Sequence, residues 1–186
     1  GMVPTLKMPT AKGWEPGTMP TPAQGLKVEI FAENLDHPRM VYVLPNGDVL
    51  VAESSTEPWG EATGLYERAM QHTMRRAGAM RKSANQITIL RDADGDGVPE
   101  LREIFIEGQR QVFGMALVGS TLYLGNSDAV MAFPYEVGQT RITGEGRKIM
   151  DLKSGGHWTR NLIASKDGKK LYVAVGSLSN IADDGM

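Results

Sequence analysis

At 186 residues, 41% hydrophobic and 23% charged, the chain has the makeup of a globular protein with one sizeable core or two small ones. A formal net charge of -2 leaves no electrostatic footprint for nucleic acid, and no apolar run approaches the roughly 18 residues that a membrane span requires. The absence of cysteine excludes thiol catalysis, cysteine-ligated zinc and disulfides together.

Residues 1–25 carry Pro4, Pro9, Pro16, Pro20 and Pro22 with no hydrophobic period, and read as an extended arm or linker. Gly1 ahead of Met2 has the form of a cleaved tag, so the start says nothing about an export leader. From Leu26 onward short apolar segments alternate with turn residues, the pattern of antiparallel β structure. Residues 28–32 and 40–44 are the first such segments. Pro45-Asn46-Gly47-Asp48 then turns the chain, since Asn-Gly tolerates the positive φ angles of tight hairpins, and 49–52 returns.

Between that hairpin and the next segment, residues 61–82 break the rhythm. Tyr66, Met70, Met74 and Ala77 fall at helical spacing, and Arg75, Arg76, Arg81 and Lys82 make the far end basic. This predicts a short helical insert on the surface with a solvated charged face. Strand-like segments resume at 86–90, 103–106, 114–118, 121–125, 130–134 and 171–175, with Ser165-Lys166-Asp167-Gly168 as a further turn. The unit of segment, turn and segment recurs over 40–52, 114–125 and 161–175. Repeated hairpins of this kind point to an all-β propeller with blades of about 40–45 residues, and a β-sandwich, with similar punctuation, is the alternative.

Asp92-Ala93-Asp94-Gly95-Asp96-Gly97, followed by Glu103, satisfies the D-x-D-x-D-G-x5-E calcium pattern at every position. Hard Ca²⁺ takes six to eight oxygens. Alternate carboxylates can supply them, with Gly97 permitting the sharp turn, Val98 offering its carbonyl and Glu103 closing the shell. Glu100 competes with Glu103 for that last role. The flanking segments are short and β-branched, and Pro99 stands inside the loop, so the expectation is a structural calcium loop between two strands rather than between helices. An acidic hairpin turn without a metal is the alternative.

There are three histidines. His37 precedes Pro38 at a strand start, and His72 lies on the helical insert. His157 follows Gly155-Gly156 and stands just before a hairpin, where an inter-strand loop of a propeller opens on the axial channel. An imidazole that titrates near neutrality suits general-base chemistry, whereas a plain loop hydrogen bond is the simpler role.

Several runs then resemble one family. They are 156–162 (Gly-His-Trp-Thr-Arg-Asn-Leu), 166–173 with Val175-Gly176-Ser177-Leu178-Ser179-Asn180, His37-Pro38-Arg39, 44–53, 83–97 and 111–117. In this order they are similar to the glucose/sorbosone dehydrogenase family, and 83–97 and 111–117 to its sorbosone dehydrogenase branch, over about Leu26 to the C-terminus. The resemblance implies a six-bladed propeller, with residues 26–186 forming roughly the first half of the ring. It implies pyrroloquinoline quinone (PQQ) in the channel, Ca²⁺ at the cofactor and elsewhere, and a sugar or sugar aldehyde as substrate. His157 would take the hydroxyl proton while hydride passes to the quinone C5. Gln109 or Gln111 would lie near the substrate, and Arg160 and Asn161 would orient the base, although Asn161 suits a turn equally well. The family's cofactor-clamping arginines and lysine have no counterpart before Met186, and Gly156 replaces an acidic residue that some relatives carry before the histidine.

The resemblance also implies a periplasmic or secreted protein. A half ring would leave sheet faces open, so self-association is expected to cover them. A non-catalytic calcium-stabilised propeller binding module and a calcium-dependent propeller lactonase are the alternative functions.

Overall fold

The computed structural model describes residues 10, 12–57, 64–79, 81–154 and 156–177. Among them, Asn46-Gly47 makes the turn that its composition predicts. Gly47 adopts φ +92°, and Leu44 and Asp48 close the hairpin through the Leu44 N–H to the Asp48 carbonyl at 2.8 Å. The hairpin joins β1 (Pro38–Val43) to β2 (Val49–Glu53). Helix α1 (Leu65–Arg76) follows, then β3 (Gln86–Arg91) and β4 (Leu101–Ile106). A second meander comprises β5 (Gly114–Val118), β6 (Thr121–Gly125), β7 (Ala129–Pro134) and β8 (Arg147–Asp151). A hairpin of β9 (Arg160–Ala164) and β10 (Leu171–Val175) ends the described chain.

Every neighbouring pair is antiparallel, and the strands fill their sheets in chain order: β1-β2-β3-β4, β5-β6-β7-β8 and β9-β10. Side chains alternate across each sheet. Leu50, Ala52, Ile87 and Ile89 of the first sheet therefore share one face, which packs with Phe105 and Ile106 against Met115, Leu122, Leu124 and Phe133 of the second. The opposite face of the second sheet, with Ala116 and Val130, packs against Leu162, Leu171 and Val173 of the hairpin. Each fully buried Leu, Ile or Phe here contributes about 1.5–3 kcal/mol.

The second sheet and the β9-β10 hairpin approach closely where glycine removes the side chain. A Cβ on Gly114 would stand 2.5 Å from the Leu162 N, and one on Gly125 would stand 2.4 Å from the Arg160 carbonyl oxygen. Two faces are left outermost. The far side of β9-β10 presents Ile163 (66% exposed) and Tyr172 (52%), and the far side of the first sheet presents Val41 beside a groove lined by residues of 14–35.

The segments expected at 40–44, 49–52, 86–90, 103–106, 114–118, 121–125, 130–134 and 171–175 are strands with bounds shifted by at most a few residues, and the helix falls within 61–82. Residues 28–32 are not a strand. Their apolar side chains line the groove instead of joining a ladder, and the carbonyls of Glu33 and Asn34 just after them are taken by the Arg102 guanidinium at 2.7 and 2.6 Å. Conversely, β8 is a strand with every residue exposed, so Arg147-Lys148-Ile149-Met150-Asp151 has no buried face to produce an alternating pattern.

Candidate functional site

Because successive strands run in opposite directions, their connections alternate between two edges of the stack. The entry to β1, the β2–β3 insert, the β4–β5 link, the β6–β7 turn and the β8–β9 link all fall on one edge. Hydrogen bonds join them there. Ser54 Oγ donates to the Val112 carbonyl at 2.7 Å, the Ser127 N–H to the Arg110 carbonyl at 3.0 Å, and the Trp158 Nε1–H to Thr56 Oγ1 at 3.2 Å.

His157 stands exposed on this edge, immediately before β9. Its N–H donates to the Ser177 carbonyl at 3.1 Å, and its Cβ lies 2.6 Å from where a Cβ on Gly176 would be, so the turn is seated on the end of β10. Arg160 is fully buried beneath it. The guanidinium donates to the carbonyls of His157, Thr159 and Lys153, while its Nε finds no partner. Burial lowers the Arg160 pKa from the ordinary arginine value. Arg160 thus ties the backbone on both sides of the candidate base. Asn161 points its side-chain oxygen back to the Leu162 N–H at 2.9 Å and is exposed, a local turn-like contact.

Gln111 and Gln109 occupy the same edge with different surroundings. Gln111 is 6% exposed, its Nε2 donates to the Ser55 carbonyl at 3.2 Å and its N–H to Asn85 Oδ1 at 3.0 Å. Gln109 is half-buried, with its Oε1 accepting from Asn126 Nδ2 at 3.1 Å. Both amides are engaged in tying loops together. Three residues of this edge, His37, Asn85 and Gln111, hold φ of 53°, 52° and 47°, a region that side chains other than glycine's rarely adopt.

Two further residues join this site, and neither was singled out by the sequence. Trp158 has the Arg39 guanidinium carbon 5.1 Å from its ring centroid and the Phe113 ring edge-on at 6.4 Å. Arg39 falls within an irregularity of the β1–β2 register, between Pro38 and Met40. The signal available in sequence was the tryptophan adjacent to His157 and the arginine that starts a strand after proline. Beneath them lies Glu53, 1% exposed, which accepts from the Asp36 N–H, Thr88 Oγ1 and, at 3.2 Å, Gln86 Nε2, and so fixes the turn leading into Arg39.

The acidic loop lies on the opposite edge, between β3 and β4. Carboxylate oxygens of Asp92, Asp94, Asp96 and Glu100 lie within 4.8 Å of one another. The loop's own N–H groups shape it: those of Gly95 and Gly97 donate to Asp92, that of Val98 to Asp96 and that of Ala93 to Glu100, at 2.7–2.8 Å. The Asp96 N–H pulls the Asp94 carboxyl down, but the charges of Asp96 and Glu100 and some desolvation carry it above its ordinary value. Such crowding of hard oxygens fits a divalent cation such as Ca²⁺. Glu103 lies on β4 opposite Ile89 and outside this group, so of the two competing carboxylates it is Glu100 that joins the cluster.

A family model described as TrAA12-like matches residues 79–186. No curated protein matches the chain. Among solved structures, the holo form of the pyranose dehydrogenase PQQ domain from Coprinopsis cinerea is 17% identical with a TM-score of 0.59, over 81% of this chain and 30% of that one. The iodide structure of the Trichoderma reesei carbohydrate-active enzymes family AA12 protein is 18% identical with a TM-score of 0.62, over 89% of this chain and 38% of that one. Its calcium structure gives 19% and 0.62, over 85% and 34%. The chain therefore spans about a third of the length of these relatives in fold.

Proposed function

The chain belongs to the TrAA12-like family, and from that premise we propose that it is part of a PQQ-dependent sugar oxidoreductase with His157 as its general base. The observation that carries the reading is the position of His157: an exposed imidazole on the loop-bearing edge, with its turn held by Arg160 and Ser177 and with Trp158 and Arg39 beside it. The surroundings fit a flat polyanionic quinone in charge, because among the described residues neither Arg39 nor Arg160 pairs with a carboxylate and the buried Arg160 Nε is unpartnered.

In this reading His157 would take the proton of a sugar hydroxyl oriented against it, and a quinone bound there would supply the hydride-accepting chemistry. Arg160 holds the backbone of the base in place, Gln109 and Gln111 set the shape of the neighbouring loops, and Trp158 walls off water. Asp92, Asp94, Asp96 and Glu100, with the Val98 carbonyl, would hold a structural Ca²⁺ on the far edge, Glu103 being the alternative closing ligand.

The family premise, the repeated meanders and their face-to-face stacking support a six-bladed propeller in which residues 26–186 form about the first half of the ring and 1–25 an arm or linker. The exposed Ile163, Tyr172 and Val41 are faces that further blades or a second copy would cover. A periplasmic or secreted location accords with the cysteine-free composition. Among the described residues no helix is long and apolar enough to cross a membrane.

Dye reduction by the full-length protein, given PQQ, Ca²⁺ and an aldose or sugar aldehyde, tests the proposal. His157→Ala is expected to slow turnover by about 10²–10⁴-fold; unchanged turnover removes His157 from the chemistry. A calcium-dependent rise in melting temperature without turnover would favour the binding module, a reading that the acidic cluster supports. Lactone hydrolysis without an electron acceptor would favour the lactonase.

A further inference from the structure

We propose that Arg39 is a carboxylate-binding residue of the candidate site, holding the carboxylate of a ring-shaped ligand at the margin of the Trp158 indole. The inference rests on the function proposed above only in naming the quinone as one source of that carboxylate.

A regular strand would send Arg39 to the side set by the alternation of β1, but the register with β2 slips between Pro38 and Met40, where Arg39 sits. An extra residue of this kind bends a strand and re-aims its side chain, and such irregularities recur beside functional sites. The entry to the strand is over-determined. The Asp36 N–H is held by the buried Glu53 carboxylate, the Ser54 N–H donates to the His37 carbonyl at 3.2 Å, and His37 is kept at φ 53°. The direction of Arg39 is therefore built into the fold.

The chemistry follows from what Arg39 meets. Its guanidinium lies 5.1 Å from the Trp158 centroid, and the indole is itself locked by Thr56 and Phe113. A guanidinium over an aromatic ring keeps its in-plane N–H edge available, and that edge matches a carboxylate in two parallel hydrogen bonds. Among the described residues no ion pair involves Arg39, whereas Arg91 and Arg141 each have one and Arg110 has two. The fully buried Arg160, two residues after Trp158, adds positive charge that no carboxylate among the described residues pairs with. An aromatic wall with an unpaired, pre-aimed fork beside a candidate base suits a ring that carries an acid group. Two sources share that chemistry: a tricarboxylate quinone such as PQQ, and an acidic sugar such as a uronate.

Titration of tryptophan fluorescence with PQQ, PQQ trimethyl ester, D-glucuronate and D-glucose tests this on the chain itself, with Arg39→Gln and Arg39→Lys as variants and circular dichroism to verify that each is folded. The expected result is a loss of about 10- to 100-fold in affinity for one carboxylate ligand in Arg39→Gln, with partial recovery in Arg39→Lys. The neutral ester and glucose should not respond to the substitution. Loss confined to PQQ assigns the carboxylate to the quinone, and loss confined to glucuronate assigns it to the substrate. PQQ binding that is equally tight in wild type and Arg39→Gln, with glucuronate also unaffected, overturns this inference while leaving the quinone reading intact. A folded wild-type chain that binds glucuronate through Arg39 but takes up no PQQ sustains the inference and counts against the quinone reading. Binding of neither ligand overturns both.

Discussion

Removing the Arg91 guanidinium should be among the most damaging single changes outside the site, and the reason is worked from Asp48. That carboxylate closes the first hairpin with its side chain 2% exposed, and it accepts from Arg91 Nε at 2.6 Å and Nη2 at 2.7 Å. Asn46 supplies one further bond at 2.8 Å. Arg91 also donates to the Gly138 carbonyl at 2.9 Å and so joins the first sheet to the β7–β8 loop. Arg91→Ala leaves a buried carboxylate with a single amide partner, a loss of about 3–5 kcal/mol. At roughly 2–4 °C per kcal/mol for a chain of this size, the melting temperature should fall by about 6–20 °C.

The pH dependence distinguishes this from a simple packing loss. The hydrogen bonds to Arg91 hold the Asp48 pKa below its ordinary value, against the opposing effect of burial. The folded wild type thus binds a proton less readily than the unfolded chain. Its stabilisation is complete above the unfolded carboxylate pKa and is lost as pH falls through the folded one. In Arg91→Ala burial still disfavours the charged carboxylate and only Asn46 opposes it, so the folded pKa moves upward and the stabilisation by Asp48 shrinks. Melting scans from pH 3 to 7 read both effects. A loss under about 1 kcal/mol, the range of an exposed pair, or the same low-pH slope in both proteins would mean that Arg91 does not sustain a buried Asp48 charge.

Gly125→Ala should cost about 1–3 kcal/mol, because the new methyl would meet the Arg160 carbonyl oxygen and push β9 away. Near-UV circular dichroism of the tryptophans should change with it, and a thermal melt that matches wild type would count against the close packing. Saturating Ca²⁺ at about a hundred times its dissociation constant should add about 2.7 kcal/mol to stability, and Asp94→Asn should abolish most of that response. Comparison of Glu100→Gln with Glu103→Gln then identifies the closing ligand, since the clustered geometry predicts the larger loss at Glu100. Glu53→Ala should destabilise by about 2–3 kcal/mol by orphaning Thr88, Gln86 and the Asp36 N–H, as urea unfolding would read.

Strands whose two faces differ were legible in the sequence. In 121–125 the buried Leu122 and Leu124 alternate with the half-buried Thr121 and Tyr123, and the register follows from that alternation. The failures have the same origin. β8 has no buried face, so nothing in Arg147–Asp151 marks it, and 28–32 has apolar residues that pack on a groove without entering a ladder. The helix was legible although none of its residues is buried, because Tyr66, Met70 and Met74 keep helical spacing and no glycine or proline interrupts residues 65–76. The acidic loop was legible as a spacing, but which glutamate lies with the three aspartates depends on where β4 begins, and it is Glu100 that clusters with them. His157 could be picked out as a residue type. That Trp158 and Arg39 stand beside it depends on the stacking of three sheets, which no local pattern encodes.

The left-handed backbone at His37 and Gln111 has a consequence for anyone who seeks a hardier version of this protein. Each costs about 1–3 kcal/mol where glycine would cost little. Selection for heat resistance would reach for glycine at both. At position 111 the gain would discard the amide that clasps the Ser55 carbonyl. Endurance and a well-ordered mouth thus draw on the same two backbone positions.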